Sequence, residues 1–209
     1  MTARFGPDEL PPDLAPPRPA DLLERLLDRA GRPARVLIDG PSGSGKTALA
    51  LMLRERIGDG ELLHLDDLYG GWDGLERVGR SVASSVIEPL SRGEAGRVRV
   101  WDWTANAPGE WRAFAPDRTL IVEGSGSLTR AAAPSATLRL WLDLEDEPER
   151  RRRALARSGG ELYRPHWEHW AAQERAHARR ERPRELADLV LRPARHPGDP
   201  VYTIVDERG

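Results

Sequence analysis

Gly40-Pro41-Ser42-Gly43-Ser44-Gly45-Lys46-Thr47 has the spacing G-x-x-x-x-G-K-[ST] of a loop that wraps phosphate. The chemistry follows from the residue types. Glycines let backbone N–H groups turn inward around an anion, and the helix N-terminus that follows adds its positive dipole end. Lys46 is the only lysine among 32 basic residues, all the others being arginine. An ammonium on a thin stem reaches the β- and γ-phosphates, whereas a planar guanidinium is too wide for the same nest. The loop predicts an enzyme or switch that handles a nucleoside triphosphate. ATP would lie over Gly40, Ser42, Gly43, Ser44, Gly45, Lys46, Thr47 and Ala48.

Three further groups carry candidate chemistry. Glu123 ends the apolar run Thr119-Leu120-Ile121-Val122, where a carboxylate can hold Mg²⁺ with Thr47 as the second protein ligand. A carboxylate there can also cap a following helix. Asp66 and Asp67 close a second apolar run, Glu61 to Leu65. One of them can accept a hydroxyl proton in phosphoryl transfer, Asp66 first and Asp67 as the alternative, and Asp66 is also a candidate for the metal set. Paired aspartates equally suit a turn. Arg150-Arg151-Arg152-Arg153, with Arg157 and Arg164, suits a lid over the phosphates. Arg150, Arg153 and Arg157 share one helical face, and the catalytic candidates are Arg153 and Arg157. The competing reading is a solvated face paired with Glu145, Glu147 and Glu149. His166 and His169 sit three apart, but no third ligand is near, which favours a structural role.

The elements that must position these residues follow from periodicity. Arg35–Asp39 reads as a buried strand, and Thr47–Arg56 as a strong helix former, so the loop sits between strand and helix. Helices are predicted over 21–30, 80–90, 148–157 and 166–180. Strands are predicted over 61–65, 98–101, 119–123, 137–142, 187–191 and 201–205. Ser158-Gly159-Gly160 is a flexible break. Alternation of strands and helices predicts a parallel α/β sheet flanked by helices. Ligands gather at the carboxyl ends of such strands, so the loop, Asp66-Asp67, Trp101-Asp102, Glu123 and the basic helix should share one rim.

Composition narrows the classes. The 209 residues suit one domain over 20–209, with a lid near 150–164 and a mobile, proline-rich lead-in over 1–19. A net charge of -2 argues against nucleic acid and membrane surfaces as partners. There is no cysteine, hence no disulfide and no thiolate metal site. No apolar stretch is long enough to span a membrane and no signal peptide is visible, which predicts a cytoplasmic protein.

With these residues in view, the chain resembles the uridine kinase branch of P-loop kinases, which includes phosphoribulokinase and nicotinamide riboside kinase. Ile38 to Thr47 matches the phosphate loop. Leu65-Asp66-Asp67-Leu68-Tyr69 is similar to the family's Asp-x-aromatic-Tyr segment, whose first aspartate accepts the proton. Val100-Trp101-Asp102-Trp103 is similar to the Tyr-Asp-Phe segment beside the acceptor nucleoside. Ile121-Val122-Glu123-Gly124 matches the acid at the end of the family's fourth strand. The resemblance implies a P-loop NTPase fold of the nucleoside-kinase type, ATP and Mg²⁺ as cofactors, and Asp67, Tyr69, Trp101 and Asp102 near the acceptor. Two departures stand out. Thr104 to Trp111 lacks the family's base-contacting His and Arg, and the lid is short, with Ala156-Arg157 where the family has Arg-Asp.

The resulting expectation is an ATP-dependent kinase acting on a hydroxyl of a nucleoside-like or riboside acceptor, with homodimer formation left open. Trp72, Trp101, Trp103 and Trp111 follow the acceptor-facing strands, and Trp167 and Trp170 follow the lid, which suits an aromatic acceptor or simple packing. One alternative is a cytidylate-type nucleoside monophosphate kinase, whose loop is also similar. Another is an ATP-binding relative that transfers nothing.

Overall fold

Apolar runs long enough for one strand each, separated by amphipathic helices, assemble in the computed structural model into a sheet with helices on both faces. It describes residues 19–157, 159–193 and 202–208. The lead-in expected over 1–19 lies outside them save for Pro19, as do Ser158 and Val201.

Helix α1 (Pro19–Ala30) precedes β1 (Arg35–Asp39), the phosphate-type loop and α2 (Lys46–Ile57). Gly45 takes the left-handed conformation (φ 96°) to start α2, and Gly58 (φ 84°) ends it by donating its N–H to Arg54 O. β2 (Glu61–His64) runs into a single 3₁₀ turn at Leu65–Asp67. Next come α3 (Leu75–Val82), a π turn over Ala83–Ile87 and α4 (Glu88–Ser91), which holds Pro89. β3 (Gly96–Asp102) and β4 (Ala107–Phe114) form a hairpin, followed by β5 (Leu120–Glu123) and β6 (Leu138–Leu142). The basic segment folds as α5 (Glu147–Ala156), begun by Asp146, whose side chain accepts from Glu149 N. It continues through α6 (Gly160–Tyr163) into α7 (Trp167–Glu181). The short α8 (Pro183–Leu186), β7 (Leu189–Pro193) and β8 (Tyr202–Glu207) complete the described chain.

The six-stranded sheet has the order β2-β5-β1-β6-β7-β8. β2, β5, β1, β6 and β7 are parallel, and β8 returns antiparallel to β7. The expected parallel sheet therefore holds for all but its last strand. Both faces are covered. Val36, Ile38, Ile121 and Leu140 pack against Leu26, Leu49 and Leu53 of α1 and α2. Leu37, Leu63 and Val122 belong to the opposite layer with Leu75, Trp167 and Trp170. A strand with both faces buried reads as a continuous apolar run, as β1 and β5 do.

The hairpin corrects the expected shared rim. Among the described residues β3 pairs only with β4, in a separate two-stranded sheet, so Trp101-Asp102 does not end a strand of the main sheet.

Candidate active site

The phosphate-type loop is built between β1 and α2, and its neighbours fix its path. Asp39, buried at the end of β1, accepts from Gly40 N at 2.6 Å and Gly126 N at 3.1 Å through Oδ1, and from Leu128 N at 2.9 Å through Oδ2. His177 of α7 meets the same Oδ2 at 3.3 Å. Burial opposes a charge on His177, but the bond to Asp39 and the negative charges around it prevail and raise its pKa. Gly43 lies at the loop's apex with φ 81°, and a Cβ there would sit 2.2 Å from Arg150 O. Only glycine lets α5 approach this closely.

Lys46 is buried and bends back across the loop, donating to Gly40 O at 2.8 Å and Pro41 O at 3.1 Å, with Ser125 Oγ at 3.4 Å. Its ammonium therefore stands at a cavity of about 190 Å³. That cavity is bordered by Ser42, Gly43, Gly45, Thr47, Asp66, Glu123, Ser125, Arg153 and Arg157. Ser44 instead turns inward and is fully buried, Gly40 shapes the loop behind the cavity, and Ala48 is exposed on the first turn of α2.

Thr47 Oγ1 donates to Glu123 Oε1 at 3.0 Å, and His64 Nδ1 lies 2.6 Å from the same oxygen. Burial pushes the Glu123 pKa up, but the His64 hydrogen bond and the Lys46 charge outweigh it and hold the carboxyl below its usual range. An ionised carboxylate beside a threonine hydroxyl is a donor set that fits Mg²⁺, which binds one or two protein oxygens together with phosphate and water. Among the described residues no group of three or more His, Cys, Asp and Glu could hold a metal alone.

The basic helix divides by position. Arg153 and Arg157 reach the cavity. Arg153 Nε also donates to Glu149 Oε1 at 2.7 Å, and Arg157 Nη2 lies 3.4 Å from Asp66 Oδ2. Arg150 is buried behind the loop, donating to Ser42 O at 3.2 Å and facing Glu174 at 3.9 Å. It braces the loop from behind and does not reach the cavity. Arg151 and Arg152 pair with Glu168 and Glu149 on the solvated face, and Arg164 with Glu161.

A second cavity of about 590 Å³ adjoins the first, with Ser42, Asp66 and Arg157 bordering both. Its walls are Asp67, Tyr69, Trp72, Trp103, Leu162, Tyr163, His166 and Trp170. Trp72 stacks on His166 with ring centres 4.0 Å apart and lies 5.2 Å from Trp103. Trp103 Nε1 donates to Asp66 O at 2.9 Å, tying this wall to the aspartate. Asp66 keeps 58% of its side-chain surface exposed. Desolvation by the cleft walls still raises its pKa, with Arg157 and Lys46 pulling it back in part. Tyr69 is buried, and its hydroxyl donates to Ser125 O at 2.7 Å.

Trp101 and Asp102 are not brought to this cavity. Asp102 Oδ1 accepts from Thr104 N and Ala105 N, both at 2.9 Å, so it shapes the hairpin turn. Trp101 packs on Gly70. Trp111 lies on the exposed face of the hairpin. His169 bonds Asp73 at 2.7 Å, and His166 belongs to the aromatic wall.

The structure adds Glu174, which the sequence reading passed over. This buried carboxylate of α7 accepts from Ser42 N, Ser42 Oγ and Ser125 Oγ through one oxygen, at 2.7, 2.7 and 2.8 Å. It ties α7 to the phosphate-type loop. Glu174→Ala removes the acceptor of Ser42 N and Ser42 Oγ, while Ser125 Oγ keeps Gly40 O at 3.1 Å and Arg150 keeps Glu147 at 4.0 Å, and each unsatisfied buried donor costs about 1–3 kcal/mol. The variant should melt well below the parent and bind ATP more weakly, while Glu174→Gln, which keeps an acceptor oxygen, recovers much of both. Thermal melting and calorimetric ATP titration check this, and parent-like values for Glu174→Ala would contradict it.

Comparison with solved structures finds this chain similar to a possible uridine kinase from Bacillus stearothermophilus, with a TM-score of 0.57. The two are 19% identical, over 81% of this chain and 94% of that chain. At that identity the likeness shows a shared fold, that of a P-loop NTPase. No protein-family model matches the sequence, and no curated protein does. No helix among the described residues is long and apolar enough to cross a membrane.

Proposed function

We propose that the chain is an ATP- and Mg²⁺-dependent phosphotransferase whose acceptor is a hydroxyl of a nucleoside-like or riboside molecule. The observation that carries this reading is the place of Asp66. It borders both the Lys46 cavity and the aromatic cavity, where a base must stand to join a phosphate donor to an alcohol. The likeness in fold to a possible uridine kinase supports it.

In this reading, Gly40 to Thr47 hold the phosphates of ATP, with Lys46 at the β- and γ-phosphates. Thr47 and Glu123 would hold the metal, which would supply positive charge to the phosphate oxygens, and Asp66 remains the further candidate for that set. Asp66 accepts the acceptor's proton, and Asp67, one residue on, faces the acceptor alone. Arg153 and Arg157 close the cleft from α5 and the turn after it and exclude water, so that phosphate passes to the alcohol. Ser42, tied to Glu174, is held where the two cavities meet.

The aromatic walls favour a flat ring, since stacking on aromatic side chains contributes about 1–3 kcal/mol per base. A phosphorylated acceptor, as in a cytidylate-type kinase, fits less well. Among the described residues Arg157 is the only arginine on the second cavity, against two carboxylates, Asp66 and Asp67. Uridine titrated into the ADP-bound chain should quench tryptophan emission, and Trp103→Ala should raise the KM for the acceptor far more than that for ATP. Unchanged emission across nucleosides and ribosides, with transfer to a non-aromatic alcohol instead, would contradict the aromatic acceptor.

A further inference from the structure

A third cavity, of about 390 Å³, lies between α3 and the β3–β4 hairpin and shares no lining residue with the two described above. Its size falls within the range of small-molecule sites, about 300–1,000 Å³. Apolar surface comes from Leu68, Val78 and Val98. Three arginines line it, Arg77 from α3 and Arg97 and Arg99 from β3. Arg80, one turn beyond Arg77, pairs with Glu76, whereas Arg77, Arg97 and Arg99 form no ion pair among the described residues. The one carboxylate on the cavity among the described residues, Asp73, bonds His169 of α7 at 2.7 Å.

The arginines are partly oriented. Arg97 lies over the ring of Trp111, its guanidinium carbon 4.7 Å from the ring centre. Arg99 Nε donates to Gly109 O at 2.7 Å, which leaves its terminal nitrogens free of that bond. Trp111 is 58% exposed, unusual for so large an apolar side chain, and presents an aromatic wall. Guanidinium forks from two facing elements match the oxygens of phosphate or carboxylate, and a π face stabilises both a stacked cation and a stacked ring.

We propose that this cavity is a second ligand site, separate from the phosphate-type loop, that takes a small phosphorylated compound carrying a flat ring, a nucleoside monophosphate being the simplest of the class. Its phosphate lies among Arg77, Arg97 and Arg99, and its ring against Trp111. The site shares the segment 68–74 with the aromatic cavity: Tyr69 and Trp72 face that cavity, and Leu68, Gly70, Asp73 and Gly74 face this one. Ligand here therefore bears on the wall of the acceptor cavity.

The binding claim stands apart from the reading of the phosphate-type loop, and its test separates the two. UMP is titrated into the chain with ADP and Mg²⁺ in excess, and binding is followed by calorimetry and tryptophan emission. Inorganic phosphate and uridine serve as half-probes. Saturable binding of UMP is expected, weakened by salt, with phosphate alone binding more weakly to the same arginines. Arg77→Ala and Arg97→Ala should each weaken UMP at least about tenfold, as expected for loss of a charge-assisted hydrogen bond. UMP is also the product of the proposed transfer to uridine, so the acceptor cavity can take it, and the arginine site is read in Trp103→Ala, where saturable UMP binding should persist. Both arginines are exposed, and a parent-like melting temperature in either variant secures the comparison. Absence of saturable UMP binding at millimolar concentration overturns the proposal. So does binding that Trp103→Ala removes and the arginine variants leave intact, which places UMP in the acceptor cavity.

Discussion

Lys46→Ala should lower turnover by about two to three orders of magnitude, the effect of removing one preorganised donor from a site where charge develops. The affinity for ATP should fall far less, because the ammonium interacts more strongly with the transition state than with bound ATP. The geometry explains why Lys46→Arg should be nearly as damaging. Lys46 is buried, and its Nζ sits between Gly40 O, Pro41 O and Ser125 Oγ, three oxygens that converge on a compact cation. A planar fork in that slot would push the loop off α5, which already touches Gly43 too closely for any side chain there. Arginine fills every other basic position, so one retained lysine in the loop is itself a statement about shape. Steady-state kinetics beside calorimetric ATP binding check the prediction. Parent-like turnover by Lys46→Arg would show that the slot tolerates width and that the charge alone matters.

Asp66→Asn should cost about 10²–10⁴-fold in turnover, the range for a positioned general base, while ATP binding stays near that of the parent. Asparagine keeps the size of the side chain and can still accept from Arg157, so the change removes the proton acceptor and its charge with little change of shape. Asp67→Asn should be milder and show mainly in the KM of the acceptor, because Asp67 borders only the aromatic cavity. The raised pKa of Asp66, from desolvation by the cleft walls, suits a base better than a fully solvated aspartate would. If Asp67→Asn abolishes turnover and Asp66→Asn spares it, the roles of the two are exchanged.

The legible parts of this fold are those whose sequence carries one strong signal. β1 and β5 carry the unbroken apolar runs Val36–Ile38 and Leu120–Val122 because helices cover both faces of the sheet, and the glycine spacing between β1 and α2 specifies the loop. The convergence of the loop, Asp66, Glu123, Arg153 and Arg157 on one cavity follows from strands that end on one side of a parallel sheet. β4 is illegible for the opposite reason. Its sequence, Ala107 to Phe114, holds Pro108 and Gly109, and most of its length is exposed or half-buried, so no apolar run marks it. With β4 unread, β3 looked like a strand of the main sheet, and Trp101-Asp102 was expected on a rim that the hairpin meets only through Trp103 of its turn.

Side chains whose role comes from tertiary contact were equally silent. Glu174 looks like one more charge on a polar helix, and only the stripe Trp167, Trp170, Ala171, Glu174, His177 and Glu181 hints that this face is buried. Arg150 shares a helical face with Arg153 and Arg157, yet lies one turn too early to reach the cavity and is buried behind the loop. His64, beside Glu123, has no motif of its own and is found only because β2 and β5 are neighbours in register.

The proposed reaction is transfer of the γ-phosphate of ATP to a ring-bearing alcohol with Asp66 as base. Its most direct test is acceptor-dependent ADP release with Mg²⁺, measured for the parent and Asp66→Asn side by side across a panel of nucleosides, ribosides, sugars and nucleoside monophosphates. At least one nucleoside or riboside should accelerate ADP release by the parent, and Asp66→Asn should lose this acceleration while still binding ATP. Parent ADP release that no member of the panel accelerates, or acceleration by monophosphates alone, or an undiminished rate in Asp66→Asn, would contradict it.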